Sequence, residues 1–281
     1  MRRRTLLALP ALGLVAPALL SACSEEPAVT PAPPIDPADP ADAGTRRGRV
    51  AYGDDPEQFA DLHRPTGTSR GVVVVIHGGF WKAVYDYTLG TPLAESLAAA
   101  GWTAWNIEYR RVGNGGGTPE TFDDVSAAID ALAEVADLDL STVVTLGHSA
   151  GGHLAAWAAG REDPGVKVTH VISQAGVLDL VMADRLGLGS GAVAALLGHT
   201  PGPDDARWDP QQQIPLPVPV WCVHGVDDPI VPIGQSEGYV VDAQAAGARA
   251  EIVRVEGDHF VVIDPTDPAW DRQLEILDGI G

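Results

Sequence analysis

Apolar residues in this chain come in short, β-branched runs, separated by stretches whose apolar positions recur with a helical period. The runs predict strands at residues 49–52, 59–64, 72–77, 103–109, 142–146, 169–174, 218–224 and 250–255. Helical patterns cover residues 92–100, 119–136, 150–160, 234–246 and 267–280. Two of these helices open on Thr91-Pro92 and Thr118-Pro119, a capping residue followed by proline at the first helical position. Strands alternating with helices imply a mainly parallel α/β sheet of about eight strands with helices on both faces, the first two strands forming an antiparallel edge. Ligands of such a sheet bind beyond the carboxyl ends of its strands. The residues that follow each apolar run are therefore where chemistry is sought.

The first residues break this pattern. Arg2, Arg3 and Arg4 precede an apolar stretch, residues 6–20, that ends in Leu20-Ser21-Ala22-Cys23. About 15 apolar residues interrupted by Pro10 and Pro17 fall short of the ~20 that a spanning helix needs, so residues 1–22 read as an export signal. The ending resembles the lipobox of bacterial lipoproteins. That resemblance implies a lipid on Cys23, and with it export and anchoring at the outer face of the cytoplasmic membrane. Arg3-Arg4-Thr5-Leu6-Leu7 also loosely resembles a twin-arginine signal, which leaves the export route open. Residues 23–48 are rich in Pro and Ala, carry nothing periodic to bury, and read as a tether. Residues 49–281 suit one large domain without internal repeats.

Charge narrows the partners. The formal net charge is -20, and removing residues 1–22 takes away three arginines and no acids, giving -23. Such a surface excludes nucleic acid and anionic headgroups as partners. Of the two cysteines, Cys222 lies in an apolar run and reads as buried and inert once Cys23 carries lipid.

The stretch richest in chemistry is Gly147-His148-Ser149-Ala150-Gly151, at a strand-to-helix junction. G-x-S-x-G at such a corner lifts the serine oxygen above the sheet and aims the following amide, that of Ala150, at the same point. His77-Gly78-Gly79-Phe80-Trp81 follows another buried strand; its glycines let amide hydrogens face a pocket, making Gly79 and Phe80 the further oxyanion donors. His224-Gly225-Val226-Asp227-Asp228 places two carboxylates after a third strand, and Gly257-Asp258-His259-Phe260 follows the last one. Of the eight histidines, His259 combines a loop at the sheet end with an acid loop before it. The order Ser149, Asp228, His259 is a serine, acid and base sequence, with Asp227 and Asp179 as the alternative acids. Phe80, Trp81, Ile230 and Phe260 flank these motifs and read as an apolar pocket wall. Residues 177–217 hold too many leucines for a plain loop and read as a small cap of short helices. Asn114-Gly115-Gly116-Gly117 lacks the Lys-Ser or Lys-Thr of a phosphate loop and reads as a rim loop. No pattern calls for a metal or any other cofactor.

Residues 49–281 resemble the α/β-hydrolase superfamily. Asp228 is the preferred acid because its loop resembles the H-G-x-x-D-x-x-V-P acid loop of that superfamily. The H-G-G-x-W loop with a G-H-S-A-G elbow is similar to the branch holding bacterial carboxylesterases and kynurenine formamidases. The resemblance implies an α/β-hydrolase fold and a serine hydrolase that cleaves carboxylic esters through an acyl-enzyme. It carries over Gly79, Phe80, Ser149, Ala150, Asp228 and His259. The implied partner is a small ester or amide. An amide hydrolase using the same residues is the nearer alternative, and a non-catalytic lipid-anchored binding protein on the same scaffold the more distant one.

Overall fold

A computed structural model of the chain describes residues 46–280. The export signal, Cys23 and the tether up to residue 45 lie outside the described residues. Eight strands form one sheet: β1 (Arg46–Ala51), β2 (Phe59–Arg64), β3 (Val72–Ile76), β4 (Thr103–Ile107), β5 (Val143–His148), β6 (His170–Gln174), β7 (Val220–Gly225) and β8 (Ala250–Val255). Their order across the sheet is β1-β2-β4-β3-β5-β6-β7-β8. β1 and β2 are antiparallel, β2 is antiparallel to β4, and every other neighbour is parallel. The expected antiparallel edge is therefore present. It begins at Arg46, so residues 46–48, assigned to the tether on composition, are paired with Leu62, His63 and Arg64 of β2.

Strand β3 shows why the run Val-Val-Val-Val-Ile forms a central strand. All five residues are buried, with Val72, Val74 and Ile76 in the core on one face and Val73 and Val75 in the core on the other. Side chains alternate across a strand, so a strand covered on both sides must be apolar at every position. Helices α1 (Thr91–Ala99) and α7 (Pro268–Asp278) bury Leu93, Leu97, Trp270 and Leu277 on the second face. Helices α2 (Glu120–Asp130) and α3 (Ala150–Ala159) cover the first, and α6 (Gly234–Ala245) adds Tyr239 and Val240 to it. The sheet is thus closed from water on both faces and open to chemistry at its strand ends.

Neither threonine acts as a helix cap. Gly90 caps α1 and Pro119 caps α2, and no side chain bonds either start. Thr118 instead donates its hydroxyl to the carbonyl of Leu196, a tertiary partner. Residues 177–217 contain the short helices α4 (Leu180–Arg185) and α5 (Ala192–Leu197), with Leu178, Leu180, Val193 and Leu196 buried in the main core. Among the described residues no helix is long and apolar enough to cross a membrane.

Candidate active site

Ser149 follows β5 directly and caps α3 with φ 55° and ψ -117°, a conformation that a non-glycine residue adopts only under strain. The chain can make this turn because its backbones touch. A Cβ on Gly147 would stand 2.0 Å from the carbonyl oxygen of Gly151, and one on Gly151 would stand 2.0 Å from that of Ile76. Both G positions of G-x-S-x-G are therefore filled by packing need as well as by pattern. The Ser149 amide donates to Gln174 in β6 at 2.8 Å, tying the corner to the neighbouring strand. Its Oγ takes no hydrogen bond among the described residues.

The loop expected to supply oxyanion donors lies at the next strand end over. β3 pairs with β5 in parallel, bringing Ile76 opposite Gly147, so the loop 77–81 lies beside the elbow. Gly79, Phe80 and Trp81 have φ of 106°, 53° and 54°. Among the described residues the amides of Gly79, Phe80 and Ala150 have no hydrogen-bond acceptor. N–H groups without an acceptor beside the Ser149 corner are the kind that a developing oxyanion needs. The loop is anchored from behind. Tyr109 donates its hydroxyl to the His77 carbonyl at 2.7 Å and stacks on the imidazole at 4.5 Å. His77 Nδ1 donates to the Gly78 carbonyl at 2.8 Å, which leaves Nε2 facing the guanidinium of Arg111 at 3.3 Å. Burial, and then the Arg111 charge, push this histidine down to about 3. Arg111 is itself held by Glu108 and by Glu57.

The left-handed turn reverses one expectation. Trp81 is not on the pocket wall: its side chain is fully buried in the main core, edge-on to His153 at 5.2 Å. Phe80 is partly buried against the same core, and Gly189 of the cap segment lies against its ring. Lys82 closes the contact by donating to the Gly189 carbonyl at 2.8 Å.

The acid and base loops follow β7 and β8, which are adjacent. Asp228 Oδ2 lies 2.6 Å from His259 Nδ1, and Oδ1 accepts the amides of Ile230 and Val231, each at 2.8 Å. Burial works to raise this carboxyl, but hydrogen bonds from His224 and His259, and then the Val231 amide, outweigh it and hold the group well below the usual carboxylate range. An anion so held accepts the Nδ1 proton, which leaves the lone pair of His259 on Nε2. Asp227 is exposed, and Asp179 is occupied at the start of α4, where it accepts the Met182 amide at 2.7 Å. Phe260 is 53% exposed and edge-on to His259, and Ile230 is partly buried.

One contact links elbow to base. His148, the residue before Ser149, donates Nε2–H to the carbonyl of His259 at 2.9 Å, with the two rings 4.5 Å apart. Burial, with the neighbouring His259 adding to it, pushes His148 down to about 3 and keeps it neutral. Sequence gave His148 no role beyond its place in the motif, because its partner is a backbone atom far along the chain. Cys222 is buried, and burial pushes its thiol up to about 12, so it is inert.

The BD-FAE family model matches residues 60–240. The chain belongs to the BD-FAE family. Among relatives, esterase LipC of Mycobacterium tuberculosis is 36% identical over 153 residues, covering 52% of this chain and 37% of LipC. The isoprenylcysteine alpha-carbonyl methylesterase ICME of Arabidopsis thaliana is 25% identical over 261 residues, covering 83% of this chain and 61% of ICME. The chain thus spans well under half of the first and about three fifths of the second. In structure it is similar to a truncated carbohydrate esterase from gut microbiota, with a TM-score of 0.72 at 21% identity over 85% of this chain and 97% of the other. Est2, an esterase of Thermogutta terrifontis, gives 0.67 at 23% identity over 84% of this chain and 91% of the other. This BD-FAE member has the α/β-hydrolase fold.

Proposed function

We propose that this protein is a cofactor-independent serine hydrolase that cleaves carboxylic esters. The observation that carries the proposal is the strained Ser149 corner, linked through the adjoining His148 to a His259 whose Nδ1 is bonded to the Asp228 anion at 2.6 Å. In the reaction, Nε2 of His259 takes the Ser149 proton as Oγ attacks the ester carbonyl. The amides of Ala150 and of Phe80 or Gly79 hold the oxyanion, each such donor being worth ~2.7–4 kcal/mol of barrier. His259 returns the proton to the leaving alcohol, and water repeats the cycle on the acyl-enzyme. Asp228 stays ionised throughout. Phe80, Ile230 and Phe260 offer an apolar surface to the acyl or alcohol part, and the segment 177–217 serves as the cap. The esterase names of LipC and ICME support ester cleavage over amide cleavage. Export and a lipid on Cys23 belong to the same proposal.

Burst kinetics on a short-chain aryl ester and a matched aryl amide, wild type beside Ser149→Ala, test it. An ester burst that Ser149→Ala abolishes, and that exceeds the amide rate, is the expected result. No turnover of either substrate and no labelling of Ser149 by a fluorophosphonate would sink the enzyme proposal, and an amide rate above the ester rate would replace esterase with amidase.

A further inference from the structure

A second imidazole sits on the acid. His224, at the end of β7 and four residues before Asp228, is fully buried and bonded through both ring nitrogens. Nε2 lies 2.9 Å from the Val231 carbonyl oxygen and 3.1 Å from Asp228 Oδ2, while Nδ1 lies 2.8 Å from Ser236 Oγ. A carbonyl oxygen can only accept, so Nε2 carries the hydrogen. In the neutral ring Nδ1 is then the acceptor, and the Ser236 hydroxyl donates to it. Partners on three sides thus settle where the proton stands. Asp228 Oδ2 receives the His259 N–H at 2.6 Å and shares the single His224 N–H, at 3.1 Å, with the Val231 carbonyl at 2.9 Å, and Oδ1 receives two backbone amides. About four lone-pair sites are all that a carboxylate has, and every one of them here faces a donor.

We propose that His224 is a positioning residue for the catalytic acid: its N–H, oriented by Ser236 and Val231, fixes the Asp228 carboxylate and withdraws charge from the oxygen that holds His259. This rests on the serine-hydrolase reading above. The geometric consequence is that Oδ2 stays in line with His259 Nδ1 instead of sharing that role with Oδ1. The electrostatic consequence concerns the pH at which the base becomes available. A hydrogen bond to the charged form of an acid lowers its affinity for a proton. With the His224 donor removed, Oδ2 is more negative, holds the His259 imidazolium more firmly, and the acid limb of kcat/KM moves to higher pH. The other titratable and charged groups around the pair are His148, 4.5 Å from the His259 ring; Arg254, opposite His224 in the strand register and tied to Glu237; and the Cys222 thiol beside Ser236. The exposed Asp227 and Asp258 stand next in sequence to Asp228 and His259, and of all these groups His148 also feels the His224 ring electrostatically.

The test compares the full chain as wild type, His224→Phe and His224→Gln. Phenylalanine keeps the ring and loses the donor; glutamine carries an amide N–H to similar depth without a titrating ring. In His224→Phe, kcat/KM for an aryl ester is expected to fall roughly tenfold, mainly through kcat, with the acid limb raised by about half a pH unit or more. His224→Gln returns the limb toward its wild-type position. A purely space-filling role predicts a lower melting temperature with the limb unmoved in both variants, and that result overturns the proposal. Should His224→Phe fail to fold, nitrogen NMR of histidine-labelled wild type decides: His224 protonated on Nε2 alone, across the pH range in which activity rises, supports it. A ring protonated on Nδ1, or on both nitrogens, overturns it. Wild type without turnover would defeat the hydrolase proposal, while the NMR measurement still judges the bonding around His224 by itself.

Discussion

Asp228→Asn changes one atom type and reaches both ends of the site. In the wild type, four N–H groups point at the carboxylate, two on each oxygen. An asparagine has one oxygen, so whichever way its amide turns, its NH2 faces two N–H groups. If the NH2 faces the histidines, His259 must move its proton to Nε2, and the lone pair that would accept from Ser149 is gone. If it faces the loop, the amides of Ile230 and Val231 lose their acceptor. Each stranded buried donor costs ~1–3 kcal/mol, which puts the loss for two of them at roughly 2–6 kcal/mol. The effect on kcat should reach ~10⁴-fold, about 5 kcal/mol of barrier, because both the tautomer and the countercharge fail together. Steady-state turnover of an aryl ester beside a thermal melt reads both quantities, with the exposed neighbour changed as Asp227→Asn for control. A kcat within tenfold of wild type in Asp228→Asn, or an equal loss in Asp227→Asn, would refute the assignment. The sign of the pH effect follows from the same bonds. A depressed carboxyl contributes stability that is present above its unfolded value near 3.9 and lost as pH falls through the folded one. Wild type should therefore lose this contribution on acidification below ~4, and Asp228→Asn should lack it at every pH.

Asp209 carries the opposite sign: burial lifts its carboxyl to about 6, so the folded state loses stability as pH rises from ~4 to ~6. Asp209→Asn turns its NH2 against one of the donors that Asp209 accepts, a penalty at every pH, so the check is the difference between the two proteins, which should move by ~1–3 kcal/mol in the variant's favour from pH 4 to pH 8; a difference that ignores pH would count against this. In Gly151→Ala the new Cβ meets backbone oxygens of Ile76 and His77, which a flexible side chain cannot relieve. Urea unfolding should show ~3 kcal/mol or more lost, and a loss under 1 kcal/mol would mean that the corner relaxes. Cys23→Ala should move the protein from the membrane to the soluble fraction of the envelope, and unchanged partition would remove the lipid anchor from the proposal.

All eight strands lie near where the apolar runs put them, because a strand buried on both faces leaves a continuous β-branched signal such as Val72–Ile76. Motif residues were legible for a related reason: Gly147 and Gly151 are demanded by backbone contacts a few residues apart or one strand away. What sequence missed depended on distant partners. Thr118 reads as a cap until Leu196 claims its hydroxyl. The helix expected to run from 119 to 136 ends at Asp130 and tightens into a 3₁₀ turn at Ala131–Glu134, and Asp130 accepts from Arg161 and the Val166 amide. Phe80 and Trp81 look alike in a string of letters, and only the folded loop shows Trp81 sealed in the core and Phe80 left partly exposed. His148 and His224 sit in recognisable motifs, but their work is done through the His259 carbonyl, the Val231 carbonyl and Ser236.

Beyond His259, the chain turns through Val261–Ile263 and is held there by two buried glutamines. Gln174 of β6 and Gln273 of α7 both donate to the Val262 carbonyl, at 2.7 and 2.8 Å, and Gln174 also donates to Gln273 at 2.7 Å. The two halves of the candidate site are thus tethered differently. The Ser149 corner is braced by β3, β5 and β6, whereas the loop bearing His259 depends on α7 staying docked. Loosening that helix would release His259 and leave the Ser149 corner standing.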